Sequence, residues 1–206
     1  MVVSLAELKR TQLYSEELSI DLRRGSDKEY FKWFLASLLF GGRISETIAR
    51  NTYQTFVRHK FLTPRKILKA GWPFLVSTIM REGGYVRYDG RKSSQILRDC
   101  ETLIQDYGGS LKALHAASQS PNDLESRLLA FFGVGPITVN IFLRELRPHW
   151  RHADPEPLPR IVALADELGL DLRAFNRKTV SFTRLEAGLM RLRRGRRRAS
   201  AKQRPA

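Results

Sequence analysis

Apolar side chains recur three and four residues apart along nearly the whole chain, which is the spacing of one face of a helix. Residues 4–20, "SLAELKRTQLYSEELSI", carry this pattern up to a break at Gly25. Residues 27–40, "DKEYFKWFLASLLF", are apolar almost all round, as a central buried helix would be, with Ser26 or Asp27 as N-cap and Gly41-Gly42 as terminator. Trp33 and Phe34 read there as core. Further helical patterns fall at 44–58, 64–70, 73–82, 91–107, 110–117, 122–132, 137–147, 159–168 and 179–194. No alternating run of strand length interrupts them and no internal repeat is present, so the expected class is all-α.

The region around residue 130 is more specific. Ser120-Pro121-Asn122-Asp123 is a start signal: a capping hydroxyl, a proline suited to the first helical position, and a carboxylate placed to close a capping box. The helix runs through Leu124, Leu128, Leu129 and Phe132 to Gly133. Pro136 opens the next, with Ile137, Ile141, Phe142 and Leu146 on one face, Arg144 and Arg147 in the last turn, and Pro148 beyond. "FFGVGPITVNIF" is therefore a helix, a four-residue hairpin and a second helix.

Charge changes the picture. The 206 residues hold 36 Lys and Arg against 21 Asp and Glu, a formal net charge of +15. Residues 191–206, "RLRRGRRRASAKQRPA", supply eight of those charges and no acid, and read as a solvated tail; the remaining body still carries an excess of seven. Such a balance favours a polyanionic partner. A single cysteine, Cys100, excludes an intrachain disulfide and a four-cysteine iron–sulfur site, and in "ILRDCETLI" it reads as core. No apolar run is long enough for a signal peptide or a bilayer span, so a non-membrane, intracellular protein is expected.

In the hairpin, Gly133 and Gly135 leave no side chain over the turn and can adopt backbone angles closed to other residues. The free N–H groups opening the second helix then suit an anion, and a phosphodiester fits the surplus positive charge. "GGYVRYDGR" sets Tyr85, Tyr88, Asp89 and Arg91 beside glycines, residue types suited to stacking on a base and reading its edge. His149 and His152 flank Trp150 without enough further ligands for a metal site, and no metal is expected.

"LLAFFGVGPITVNIFLREL" resembles the hairpin of the helix-hairpin-helix DNA glycosylases, the superfamily of endonuclease III, adenine-mismatch and alkylbase glycosylases, and its Gly-Pro-x-Thr form is most similar to the alkylbase type. "YFKWFLASLLFGGRISETIARNTYQTF" is similar to the family's first core helix and the segment after it. Gly84, Tyr85, Lys92 and Ile96 match its Gly-Tyr-x-x-x-Lys-Ala-x-x-Ile block, so the likeness spans about residues 30–165.

The resemblance implies a two-lobed helical fold with the site in the cleft. One lobe would take 28–135, the second 1–27 with 136–190, and the tail 191–206. It implies phosphate binding by Gly133, Val134, Gly135 and Thr138, and a catalytic aspartate at Asp154, with Glu156 as the alternative after one slip of alignment. Ile137 stands where the bifunctional members carry their nucleophilic lysine, and Gly41-Gly42 stand where many have a gap-filling Gln, with Arg43 as the substitute. The expected activity is therefore monofunctional hydrolysis of a base from lesion- or mismatch-bearing duplex DNA by a monomer in the nucleoid or nucleus. The expected cofactor set is empty apart from a monovalent cation at the hairpin. A rival expectation is a helix-hairpin-helix DNA-binding module without catalysis. A third, an RNA binder held by charge, leaves the hairpin unexplained.

Overall fold

The computed structural model describes residues 4–202, with side chains through 196. Twelve α-helices and short 3₁₀ and π segments make up the regular structure among these residues, and no strand occurs among them: the fold is all-α. Two short helices, α1 (Leu5–Lys9) and α2 (Tyr14–Glu17), occupy the stretch whose pattern suggested one longer helix. Glu145 supplies the cap that α2 lacks, accepting from the Tyr14 and Ser15 N–H groups at 2.9 and 3.0 Å.

The helix α3 (Asp27–Phe40) starts on Ser26, whose hydroxyl accepts from Glu29 N at 3.3 Å. A cap of this kind contributes about 1 kcal/mol. Buried Tyr30, Phe31, Trp33, Phe34, Leu35, Leu38 and Leu39 make α3 the centre of the larger core. Trp33 Nε1 donates to Phe142 O at 2.9 Å, tying α3 to α10 (Pro136–Arg144). At the end of α3, a Cβ on Gly41 would overlap the Thr138 hydroxyl, so this glycine sets how closely the two helices cross.

Between them come α4 (Glu46–Arg58), α5 (Pro64–Phe74), a π-helical stretch Leu75–Met80, and α6 (Arg81–Gly83). Next are α7 (Asp89–Tyr107), α8 (Leu111–Ala117) and α9 (Pro121–Leu129). α5 is interrupted at Gly71, whose φ of 74° and ψ of 169° are not helical, in agreement with the break expected between residues 70 and 73.

Two apolar clusters form among the described residues. The larger runs from Leu13 to Ala153 with Ala187, and includes Val139, Ile141, Phe142, Leu143 and Leu146 from α10 and its end, a segment that the resemblance assigns to the other lobe. The smaller joins Leu8 of α1 to α11 (Pro159–Glu167), Leu172 and Phe182, Leu185 and Leu189 of α12 (Val180–Lys202). The expected separate tail is corrected: residues 191–202 continue α12. Arg191 pairs with Glu17 at 2.7 Å and Arg194 with Glu46, so basic residues that looked solvated find carboxylates on α2 and α4. The rest of the expected tail, 203–206, lies outside the described residues. No helix among them is long and apolar enough to cross a membrane.

Candidate functional site

Ser120 caps α9 as expected, accepting from Asp123 N at 3.1 Å. Asp123 reaches back one residue further than a standard box, accepting from Gln119 N at 2.8 Å. After α9 the chain turns through Gly133, at φ 69°, a left-handed conformation that favours glycine. Gly135 differs from expectation: as N-cap of α10 it has φ −107° and ψ 173°, open to any residue. A Cβ there would meet nothing within 4 Å, so nothing in the fold itself requires a glycine, and the missing side chain leaves open space over the start of α10. No side chain caps α10, and its first N–H groups have no partner within the helix. Val134 is buried and anchors the turn. Thr138 is also buried, its hydroxyl packed at Gly41, so its side chain faces α3 rather than the hairpin surface. Ile137 is exposed at the start of α10.

One face of α7 supports this turn from beneath. Lys92, Gln95 and Asp99, at helical spacing, are all buried. Lys92 Nζ donates to Leu38 O at 2.8 Å and to Gln95 Oε1 at 2.6 Å, joining the end of α3 to α7. The Gln95 amide lies against Gly133, leaving little room for a Cβ there. The Asp99 carboxyl faces the Phe132 N–H and the Gln95 amide without closing an ordinary hydrogen bond. Burial pushes Asp99 up to about 8 against the pull of Lys92. It also pushes Lys92 down to about 8 against the pull of Asp99. Lys92 is visible in the sequence as a motif match. Gln95 and Asp99 are not, although their spacing from Lys92 puts all three on one helix face.

The second part of the site is the loop of residues 150–158. Its carbonyl groups are gathered by cations: Lys178 Nζ donates to Trp150 O, Arg151 O and Ala153 O at 2.9, 3.0 and 2.8 Å. The fully buried Arg147 donates to Pro155 O and pairs with Glu186. Asn140 of α10 donates to Glu156 O at 2.8 Å, so the loop is fastened directly to the second hairpin helix. The Asp154 side chain is 27% exposed, with Arg177 at 2.9 Å and Arg147 at 3.5 Å. The Glu156 side chain is 80% exposed and pairs with Arg177 at 2.5 Å. Burial alone would pull the Arg177 pKa down, but its bonds to Glu156 and Asp154 hold it above the usual value. Lys178 is held below its ordinary value by burial, against the attraction of Asp154. Glu125 on α9 is raised by burial and by repulsion from Glu156 and Asp154, which places the first hairpin helix within electrostatic reach of the loop. Asp154 opens onto a groove of about 680 Å³, bordered also by Arg177, Phe175, Asn176 and Asp166.

The residues expected to read a base are divided. Tyr85 is buried, its hydroxyl over Gly42, where a Cβ would stand 2.9 Å away; it is no exposed stacking ring. Burial raises its pKa. Tyr88 is exposed at the start of α7, Asp89 accepts from Gly90 N at 2.7 Å, and Arg91 and Arg43 are exposed. His152 donates its backbone N–H to His115, whose ring stacks on Trp150, and no group of three or more His, Cys, Asp or Glu among the described residues is placed to hold a metal ion. No family model, no curated protein and no solved structure matches this chain.

Proposed function

We propose that this protein is a monofunctional DNA N-glycosylase that removes a damaged or mismatched base from duplex DNA. One observation carries the reading. The uncapped start of α10 and the half-buried Asp154 belong to one fastened unit, because Asn140 holds the Asp154 loop to α10. A backbone phosphate received at the hairpin is thereby set at a fixed offset from a carboxylate, which is the arrangement a hydrolase of the sugar–base bond needs. As that bond breaks, the base leaves with the bonding electrons and takes up a proton. Positive charge builds on the sugar, the Asp154 carboxylate stabilises it, and water adds at the anomeric carbon and loses a proton. Asp154 suits this role better than Glu156, whose side chain stands largely in solvent. Exposed Ile137 offers no amine, so the reaction ends at the abasic site.

Charge also supplies a sequence of events. Arg177 bridges Asp154 and Glu156, and a DNA phosphate competes with both for it. When Arg177 moves to phosphate, Asp154 keeps Arg147 as its ion-pair partner, with Lys178 nearby. The test is a panel of duplexes, each with one lesion or mismatch, incubated with protein and then treated with alkali. Asp154→Asn should bind at least as well as wild type and release base more slowly by a factor on the order of a hundred. Glu156→Gln should change the rate little. Base release by Asp154→Asn at the wild-type rate rules the mechanism out.

The second reading is a DNA-binding module without catalysis. The two guanidiniums that offset Asp154 favour it, since a neutralised carboxylate stabilises a cation poorly. It predicts salt-sensitive duplex binding and no release from any duplex in the panel.

A further inference from the structure

Trp72, Tyr88 and Phe132 are 45%, 55% and 43% exposed, which is unusual for large rings in a chain that buries its other two tryptophans at 0% and 3%. None of the three hangs loose. Trp72 Nε1 donates to Gly90 O and Ser94 Oγ, both at 3.1 Å, and the ring edge lies so near Gly90 that a Cβ there would stand 3.1 Å from it. The Gly71 break redirects the last residues of α5, and Trp72 among them lies on α7. The Arg87 guanidinium lies over the Tyr88 ring at 5.1 Å and donates to its hydroxyl at 3.2 Å. Tyr88 itself is held at φ 64°, a left-handed conformation uncommon for a bulky residue. Arg98 covers one side of Phe132 at 4.3 Å.

These contacts share a line. Gly90, Ser94 and Arg98 are successive members of one ridge of α7, four residues apart. The ridge is about 12 Å long at 1.5 Å per residue. Trp72 covers its first half, Phe132 its end, and Tyr88 precedes it. Arg87, Arg91 and Arg98 are exposed along the same stretch, and Asp89 is the one acid between residues 86 and 98. Phe132 adjoins Gly133, so the line runs into the hairpin.

We infer that this ridge is a stacking track for unpaired nucleotides, leading from the phosphate-binding hairpin along α7 to Tyr88. The inference rests on the DNA-binding part of the reading above and names the form of nucleic acid this face takes. A ring fixed on one side and open on the other presents a flat apolar surface to a base. Bases in a duplex are already covered on both faces, whereas unpaired ones are free to stack. Twelve ångströms is the length of roughly three to four stacked nucleotides at about 3.4 Å each. The arginines provide the phosphate contacts and the rings tolerate any base, so binding is indifferent to sequence.

The test uses the wild-type chain first. Because Trp33 and Trp150 are buried, tryptophan emission that responds to a solution quencher comes from Trp72. Adding a 12-mer oligothymidylate at low salt should quench that emission and protect it from acrylamide. Trp72→Leu should weaken oligothymidylate binding, read by anisotropy of a dye-labelled strand, by about tenfold, while undamaged-duplex binding changes less than twofold. A circular-dichroism melt shows whether that variant is folded. The inference is overturned if oligothymidylate does not bind, if it saturates without changing Trp72 emission, or if Trp72→Leu binds it like wild type. Concentration-dependent self-association that buries Trp72 in place of any response to the strand also overturns it, assigning the face to a protein contact. Base release without Trp72 quenching would keep the glycosylase reading and end this one, and quenching without base release would do the reverse.

Discussion

At residue scale, the two hairpin glycines separate what folding needs from what a ligand needs. Gly133 sits at φ 69° with the Gln95 side chain 3.3 Å from where a Cβ would be. Alanine there incurs left-handed strain and a tight contact, and Gly133→Ala should cost about 1–2 kcal/mol in urea unfolding. Gly135 has an extended backbone and open space around it. Gly135→Ala should leave the unfolding midpoint nearly unchanged and yet weaken duplex binding, because a methyl group would stand where the phosphate approaches the bare start of α10. Equal loss of stability in both variants, or duplex affinity unaffected in Gly135→Ala, would contradict this division. The sequence presents the two glycines as a matched pair. Which one bears the strain depends on α7 passing beneath the turn, and a local pattern does not contain that.

At the scale of elements, the 150–158 loop carries a pH dependence. His115 of α8 stacks on Trp150 at a centroid distance of 4.5 Å, and its Nε2 accepts from the His152 N–H at 3.4 Å, so the neutral ring is the form that fits. Burial, with His152 and Lys178 nearby, keeps its pKa below the usual 6.5. His149 is lowered by burial and Arg23, against the pull of Asp21. At these two imidazoles the unfolded chain therefore binds more protons than the folded one between the lowered values and 6.5. Their contribution to stability is full above that range and is lost as pH falls through the folded values. In thermal melts from pH 7.5 to 5, the wild-type midpoint should therefore fall relative to that of His115→Phe, which keeps a ring on Trp150 but cannot take a proton. Parallel curves would show that His115 is not responsible. The elements themselves were largely legible, since caps such as Ser120 and Ser26 and the helical apolar spacing are local signals. The prolines at 155, 157 and 159 are a local mark of a stiff loop, and only through the family resemblance could Asp154 be picked from it. What fastens that loop could not: Asn140, Arg147 and Lys178 reach it from other elements, and each reads alone as an ordinary polar residue. Trp72 was hidden for the same reason, because its place on α7 depends on the conformation of Gly71.

For the whole molecule, the packing of α12 on α1 is the long-range closure. A Cβ on Gly188 would stand 2.7 Å from Thr11 Oγ1 and 3.0 Å from the Leu8 carbonyl oxygen, so the helices could not approach as they do. Gly188→Ala should cost about 1–3 kcal/mol as overpacking. Gly195, on the same helix with nothing near its Cβ position, provides the control: Gly195→Ala should stabilise by up to about 1 kcal/mol through helix propensity alone. Urea midpoints moving in the same direction would mean that Gly188 is not a packing glycine. Arg191 and Arg194 show why this scale was hardest to read. Their partners Glu17 and Glu46 lie far away in sequence, and a run of like charge without visible partners has the composition of a tail.

The union of α1 and α12 also sets an order of events during synthesis. Leu8 belongs to the cluster completed by Phe182, Leu185 and Leu189, about 180 residues later. At roughly 5–20 residues per second, a ribosome needs about ten to forty seconds to make that span. Throughout that interval the first helix has no native surface to settle on, while α3 can already gather much of the larger core around it. The nascent chain thus carries an unmatched apolar segment until α12 has been made, and a pause shortly before residue 180 prolongs its exposure to chaperones and proteases.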